Sequence, residues 1–144
     1  LGAYGQSREV AQADRGQRQL MKMLEALAVI RARGSLPLGQ ILSGEGERLA
    51  RGTTIIVITP AFDVDWIQNA RDLSQRGLRL VAVLVDAGSF GPAIDLSPVV
   101  AELRMSQIPT YTIRRGDDMG AALGAPGGAA PAPPGARVAA TPGR

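Results

Sequence analysis

A chain of 144 residues suits one domain, and 45% hydrophobic content with only 3% aromatic predicts an aliphatic core. With neither histidine nor cysteine, it has no imidazole base, thiolate nucleophile, thiolate–imidazole zinc site or disulfide. Two of the charges behind the net +3, Arg137 and Arg144, lie near the end, and no Lys/Arg stripe carries interleaved aromatics; this argues against nucleic acid as a partner.

In chain order, residues 1–10 read as the end of one strand, a tight turn at Gly5-Gln6 and a short return. The longest helix is expected from Gln17 to Ala32. Leu20, Met23, Leu24, Leu27, Ala28 and Ile30 form its buried stripe, and Gly34 ends it. A weaker helix covers Leu38 to Ala50, with Gly44 and Gly46 counting against its regularity.

Three apolar runs follow, TTIIVIT over 53–59, LRLVAVLVD over 78–86 and PTYTI over 109–113. The first two are β-branched and nearly continuous, the pattern of strands buried on both faces of a parallel sheet. Between them, Trp66, Ile67, Ala70 and Leu73 share one helical face, with Asp63 or Asp65 as N-cap and Gly77 as the stop. Ser97-Pro98 reads as an N-cap followed by proline in the first turn, with Val99, Val100 and Leu103 as the apolar face. A short helix at Met119 to Leu123 would be capped by Asp117 or Asp118.

Alternating strands and helices predict an α/β fold, a three-layer sandwich with a mainly parallel sheet and helices on both faces. The folded part is 1–123. Residues 124–144 are Gly, Ala and Pro apart from Arg137, Val138, Thr141 and Arg144, and are expected to be a disordered tail.

No apolar run approaches the ~20 residues that span a bilayer, so this chain is not expected to insert into a membrane. No signal peptide is visible, and the lack of cysteine fits a reducing, cytoplasmic setting. The first residue is Leu1 rather than Met, which leaves room for upstream segments that tether the protein to a membrane.

Ligands of open parallel sheets sit beyond the carboxyl ends of the strands. Three loops occupy that position. In Thr59-Pro60-Ala61-Phe62-Asp63-Val64-Asp65, Thr59 with Asp63 or Asp65 offers oxygens to a ligand or hard cation; capping of the next helix accounts for one Asp equally well. In Asp86-Ala87-Gly88-Ser89-Phe90-Gly91, Asp86 and Ser89 could face a ligand, or the loop could be a flexible connection. Arg114-Arg115-Gly116-Asp117-Asp118 supplies a helix cap, and its two arginines could pair with nearby acids or form a small anion site. The binding candidates are therefore Thr59, Asp63, Asp65, Asp86 and Ser89, with no catalytic and no metal residue assigned. Phosphate-cradling glycine motifs and the G-x-S-x-G elbow are absent, and Lys22, on a helix face, is a poor Schiff-base candidate.

The order of segments resembles a bacterial family named domain of unknown function fifty-eight. The resemblance runs through Arg15-Gly16-Gln17-Arg18-Gln19-Leu20-Met21 with Leu24-Glu25-Ala26-Leu27-Ala28, Pro37-Leu38 with Ile41-Leu42, and 51–60. It continues in 73–81 and in Ile108-Pro109-Thr110-Tyr111, with Leu1-Gly2-Ala3-Tyr4-Gly5 similar to the strand closing the family's first half. It implies the C-terminal half of a von Willebrand factor A-like (Rossmann-like) domain, incomplete at its N-terminal side. The family's D-x-S-x-S metal motif is absent, and Pro60 stands where an acidic ligand is expected, so no metal site and no cofactor are carried over.

The resemblance also implies a non-enzymatic interaction or scaffold module. It would act with a MoxR-type AAA+ ATPase in protein assembly or maturation, and with the upstream half of its own domain. If that half supplies the neighbour of strand 53–59, its loss would leave backbone groups unpaired along Ile55, Val57 and their flanks and uncover the stripe at Leu20, Leu24 and Leu27. The rival reading is a nucleotide- or Mg-dependent hydrolase-like α/β domain using Asp63, Asp86 and Asp117.

Overall fold

In the computed structural model, which describes residues 2–4, 8–10, 16–29 and 34–124, the three apolar runs become three parallel strands. The chain divides into two compact units, Leu1–Leu38 and Gly39–Arg144.

The first unit holds strands β1 (Gly2–Tyr4) and β2 (Arg8–Val10) and helix α1 (Gln17–Val29). β1 and β2 pair antiparallel with Ala3 opposite Glu9, matching the expected hairpin; its turn residues lie outside the described ones. α1 has no buried residue, and Leu20, Leu24 and Leu27 are more than half exposed. The expected buried stripe is therefore an exposed one: Met23 is half-buried, Ala28 is exposed, and Ile30 lies outside the described residues.

The second unit contains α2 (Leu38–Gly46), β3 (Thr54–Thr59), α3 (Asp65–Gln75), β4 (Arg79–Val85), α4 (Ser97–Met105), β5 (Thr110–Ile113) and α5 (Met119–Gly124). The sheet order is β3-β4-β5, with Val57 beside Ala82 and Ala82 beside Thr110. β-branched residues favour these strands because their stiff side chains suit a pleated, packed surface.

The strand order does not reverse, so two right-handed crossovers deliver α3 and α4 to the same sheet face. Direct contacts agree with this placement. Arg71 of α3 donates from Nε to Ser106 Oγ at 2.8 Å, just past α4, and its guanidinium pairs with Glu102 of α4. α2 joins α3 as well, through Asn69 Nδ2 donating to Ser43 Oγ at 2.8 Å. Helices α2, α3 and α4 thus form one layer, which corrects the expectation that the crossover helices divide between both faces.

Burial follows from that asymmetry. On the helix side, Val57, Thr59, Leu80, Ala82 and Leu84 are buried beneath Trp66, Ile67, Ala70, Leu73, Val99 and Leu103. On the other side, central β4 still buries Val83, but edge strand β3 leaves Ile56 and Ile58 62% and 68% exposed. The reading of 53–59 as buried on both faces fails for this reason: β3 alternates, and only its odd-numbered side chains meet the helices.

Both crossover helices end in the same hydrogen-bonded turn. Leu78 N–H donates to Leu73 O and Gly77 N–H to Ser74 O, with Gly77 at φ 90°. After α4, Ile108 N–H donates to Leu103 O and Gln107 N–H to Arg104 O, with Gln107 at φ 56°. Each turn feeds its chain directly into the next strand.

The glycines of α2, read as irregularities, have a packing reason. A Cβ at Gly46 would collide with the Leu73 side chain, and one at Gly39 with Asn69, so both let α2 approach α3 closely. The helix then stops at Gly46, short of the expected Ala50. The expected tail, apart from Gly124 at the end of α5, lies outside the described residues.

Candidate functional site

The carboxyl ends of β3, β4 and β5 all lie at one edge of the sheet, because the strands are parallel. The five candidate residues lie at or just beyond two of those ends, with Thr59 closing β3 and Asp65 opening α3. What they do there differs from residue to residue.

Thr59 is buried, and its Oγ1 accepts the Ala61 N–H at 3.0 Å. The hydroxyl oxygen therefore closes a local turn around Pro60 instead of facing an open site. Asp63 and Asp65 are exposed and make no hydrogen bond or ion pair to another described side chain. Neither caps α3: the N-cap residue is Val64, with no side-chain cap bond. Asp65 instead sits in the first turn, where its charge complements the helix dipole.

Asp86 and Ser89 are drawn together with the third loop. A short 3₁₀ turn at Ala87–Ser89 follows β4. Ser89 Oγ donates to Asp86 O at 2.6 Å and accepts the Arg115 N–H at 2.9 Å. Arg114 Nε donates to Asp86 Oδ2 at 3.1 Å, while Arg114 N–H donates to Asp117 Oδ2 at 2.9 Å. The result is a bracket tying the loops after β4 and β5. The pairing of an arginine with a nearby acid was legible in sequence; that the acid is Asp86, 28 residues away, was not.

Two further caps complete the loops. Asp118 Oδ1 accepts the Ala121 N–H at 2.8 Å, as expected for the start of α5. At α4, however, the N-cap residue is Leu96, with Ser97 and Pro98 already in the first turn. The carboxylate serving this end is Asp95, whose Oδ1 accepts the Ser97 N–H at 2.9 Å. Hydrogen bonds from the Ser97 side chain and then its backbone hold the Asp95 carboxyl below its ordinary value of 3.8.

The rival trio of Asp63, Asp86 and Asp117 does not become a metal centre, since no group of three or more His, Cys, Asp or Glu side chains able to hold an ion gathers among the described residues. Arg114 instead neutralises Asp86 and orders Asp117. Alongside the exposed Asp63, Asp65 and Arg115, this end leaves apolar side chains exposed: Phe62 and Val64 after β3, Phe90 and Ile94 after β4. Ile56 and Ile58 are exposed as well, and they were missed because the 53–59 run reads as core.

No helix among the described residues is long and apolar enough to cross a membrane. No family model, curated protein or solved structure matches this chain.

Proposed function

We propose that this chain is a non-enzymatic protein-interaction or scaffold module that takes its partner on the open side of β3. The observation carrying this reading is the exposure of Ile56 and Ile58, 62% and 68%, on an edge strand of uncharged residues. Natural sheets blunt such edges with charge, proline or a covering element. A strand that keeps none of these within 54–59 is suited to a protein partner.

The resemblance to the domain of unknown function fifty-eight adds the finer proposals. The fold is then a von Willebrand factor A-like domain, the second helix layer belongs to the upstream half, and the external partner is a MoxR-type AAA+ ATPase in protein assembly or maturation. The setting proposed is cytoplasmic, with tethering to a membrane through upstream segments.

Binding of a purified MoxR-type ATPase to the full chain, measured by biolayer interferometry, tests the reading. Ile58→Lys should abolish the signal while Leu24→Lys leaves it intact. A melting temperature raised by Mg²⁺ plus a nucleotide, and lost in Asp86→Ala, would overturn it in favour of the hydrolase-like alternative.

A further inference from the structure

The direction of the backbone groups on β3 follows from the ladder. Arg79 N–H donates to Thr53 O, so odd-numbered residues of this segment turn their N–H and C=O toward β4. Thr54, Ile56 and Ile58 therefore turn theirs toward the open edge: of the expected Ile55, Val57 and their flanks, it is the flanks that are unpaired. Among the described residues no strand pairs with that edge.

We propose that this edge takes a second copy of the same chain, β3 against β3 in antiparallel array about a two-fold axis at Ile56. The proposal rests on the interaction reading above and describes the chain without its ATPase, which would displace the second copy from the same edge. The argument is self-complementarity. With Ile56 opposite its own copy, Thr54 lies opposite the partner's Ile58, and every outward N–H meets an outward C=O. Roughly six hydrogen bonds form, with none of the outward groups left over.

Charge and shape agree with this register. From Gly52 to Phe62 there is no charged residue, so bringing the edge onto its own copy sets no like charges against each other. The exposed isoleucines fall on one face of the joined sheet, Ile56 against Ile56 and Ile58 against Thr54. Two three-stranded sheets become one of six strands, and the edge most open to uncontrolled pairing closes on a defined partner.

Sedimentation velocity on the full chain, across concentration, tests the arrangement. A reversible monomer–dimer equilibrium is expected. Ile56→Lys should raise the dissociation constant tenfold or more, and so should Ile56→Glu, because each sets like charges together at the axis. Mixing the two variants should restore the dimer, since position 56 faces itself.

Thr54→Lys, also at an exposed position, should weaken the dimer and provides a second test should the position 56 variants lose their far-ultraviolet circular dichroism. A monomer at all concentrations, a dimer indifferent to Ile56→Lys and Thr54→Lys, or a dimer broken by Leu24→Lys would overturn the proposal. Loss of the dimer with retained ATPase binding would leave the interaction reading standing.

Discussion

Helix α3 buries Trp66, Ile67, Ala70 and Leu73, each at most 2% exposed, whereas α1 buries nothing and leaves Leu20 at 56% and Leu27 at 53%. Both carry apolar residues at helical spacing. They differ in what holds them. α3 is threaded between two paired strands by short connections, so its apolar face is pressed on the sheet and on α2. The unit around α1 has only a short hairpin beside it. An apolar stripe makes a helix able to bury a face; connectivity decides whether it does.

The sharpest way to break this comparison is to shorten one leucine in each helix. Leu73→Ala should destabilise the chain by about 3 kcal/mol, as expected for a large side chain removed from a packed core. Leu24→Ala should change stability by less than about 0.5 kcal/mol. Urea denaturation of both variants checks it; equal losses would mean that α1 is buried in solution.

The glycines of α2 extend the contrast to a single helix. Gly46→Ala forces the Leu73 side chain to move within a filled interior, an expected loss of about 1–3 kcal/mol. Gly44→Ala meets nothing within 4 Å and should gain about 0.5–1 kcal/mol from the lower entropy of the unfolded chain. Thermal melts should therefore move in opposite directions for the same substitution two residues apart.

The end of α4 differs from that of α3 at its left-handed position. Both use a left-handed position to close the helix, glycine at 77 but glutamine at 107. A side chain in that conformation costs roughly 1 kcal/mol, so Gln107→Gly should raise stability by about that amount in the same melts. Gly77→Gln should lower it comparably.

These features separate what could be read from sequence and what could not. Strands, helices and their order follow from periodicity and end signals, and the 78–86 run falls within one residue of β4 at each end because β4 is central and its run carries one message. The 53–59 run is as continuously apolar, yet β3 leaves alternate residues exposed, because exposure depends on strand order and crossover side, which are non-local. The Asp86–Arg114 bracket was hidden for a similar reason: it joins loops brought together only by the sheet. Caps failed on a finer scale. An Asp near a helix start was read as its cap, but Val64 takes the position at α3, and at α4 it is Asp95 rather than Ser97 that accepts a backbone N–H.

The smallest effect concerns that last carboxylate. Asp95 is fully exposed, and its pKa is lowered by hydrogen bonds from Ser97, side chain first and backbone second. A group whose folded pKa is depressed adds stability above its unfolded pKa and loses it as pH falls through the folded one. The contribution of Asp95 should thus be complete above 3.8 and fade below it. A carboxyl carbon NMR titration should place its midpoint under the ordinary value, and Ser97→Ala should move it back up by removing the larger cause. A midpoint for Asp95 at the ordinary value would mean that it does not anchor the start of α4, and that this helix, like α3, begins without a side-chain cap.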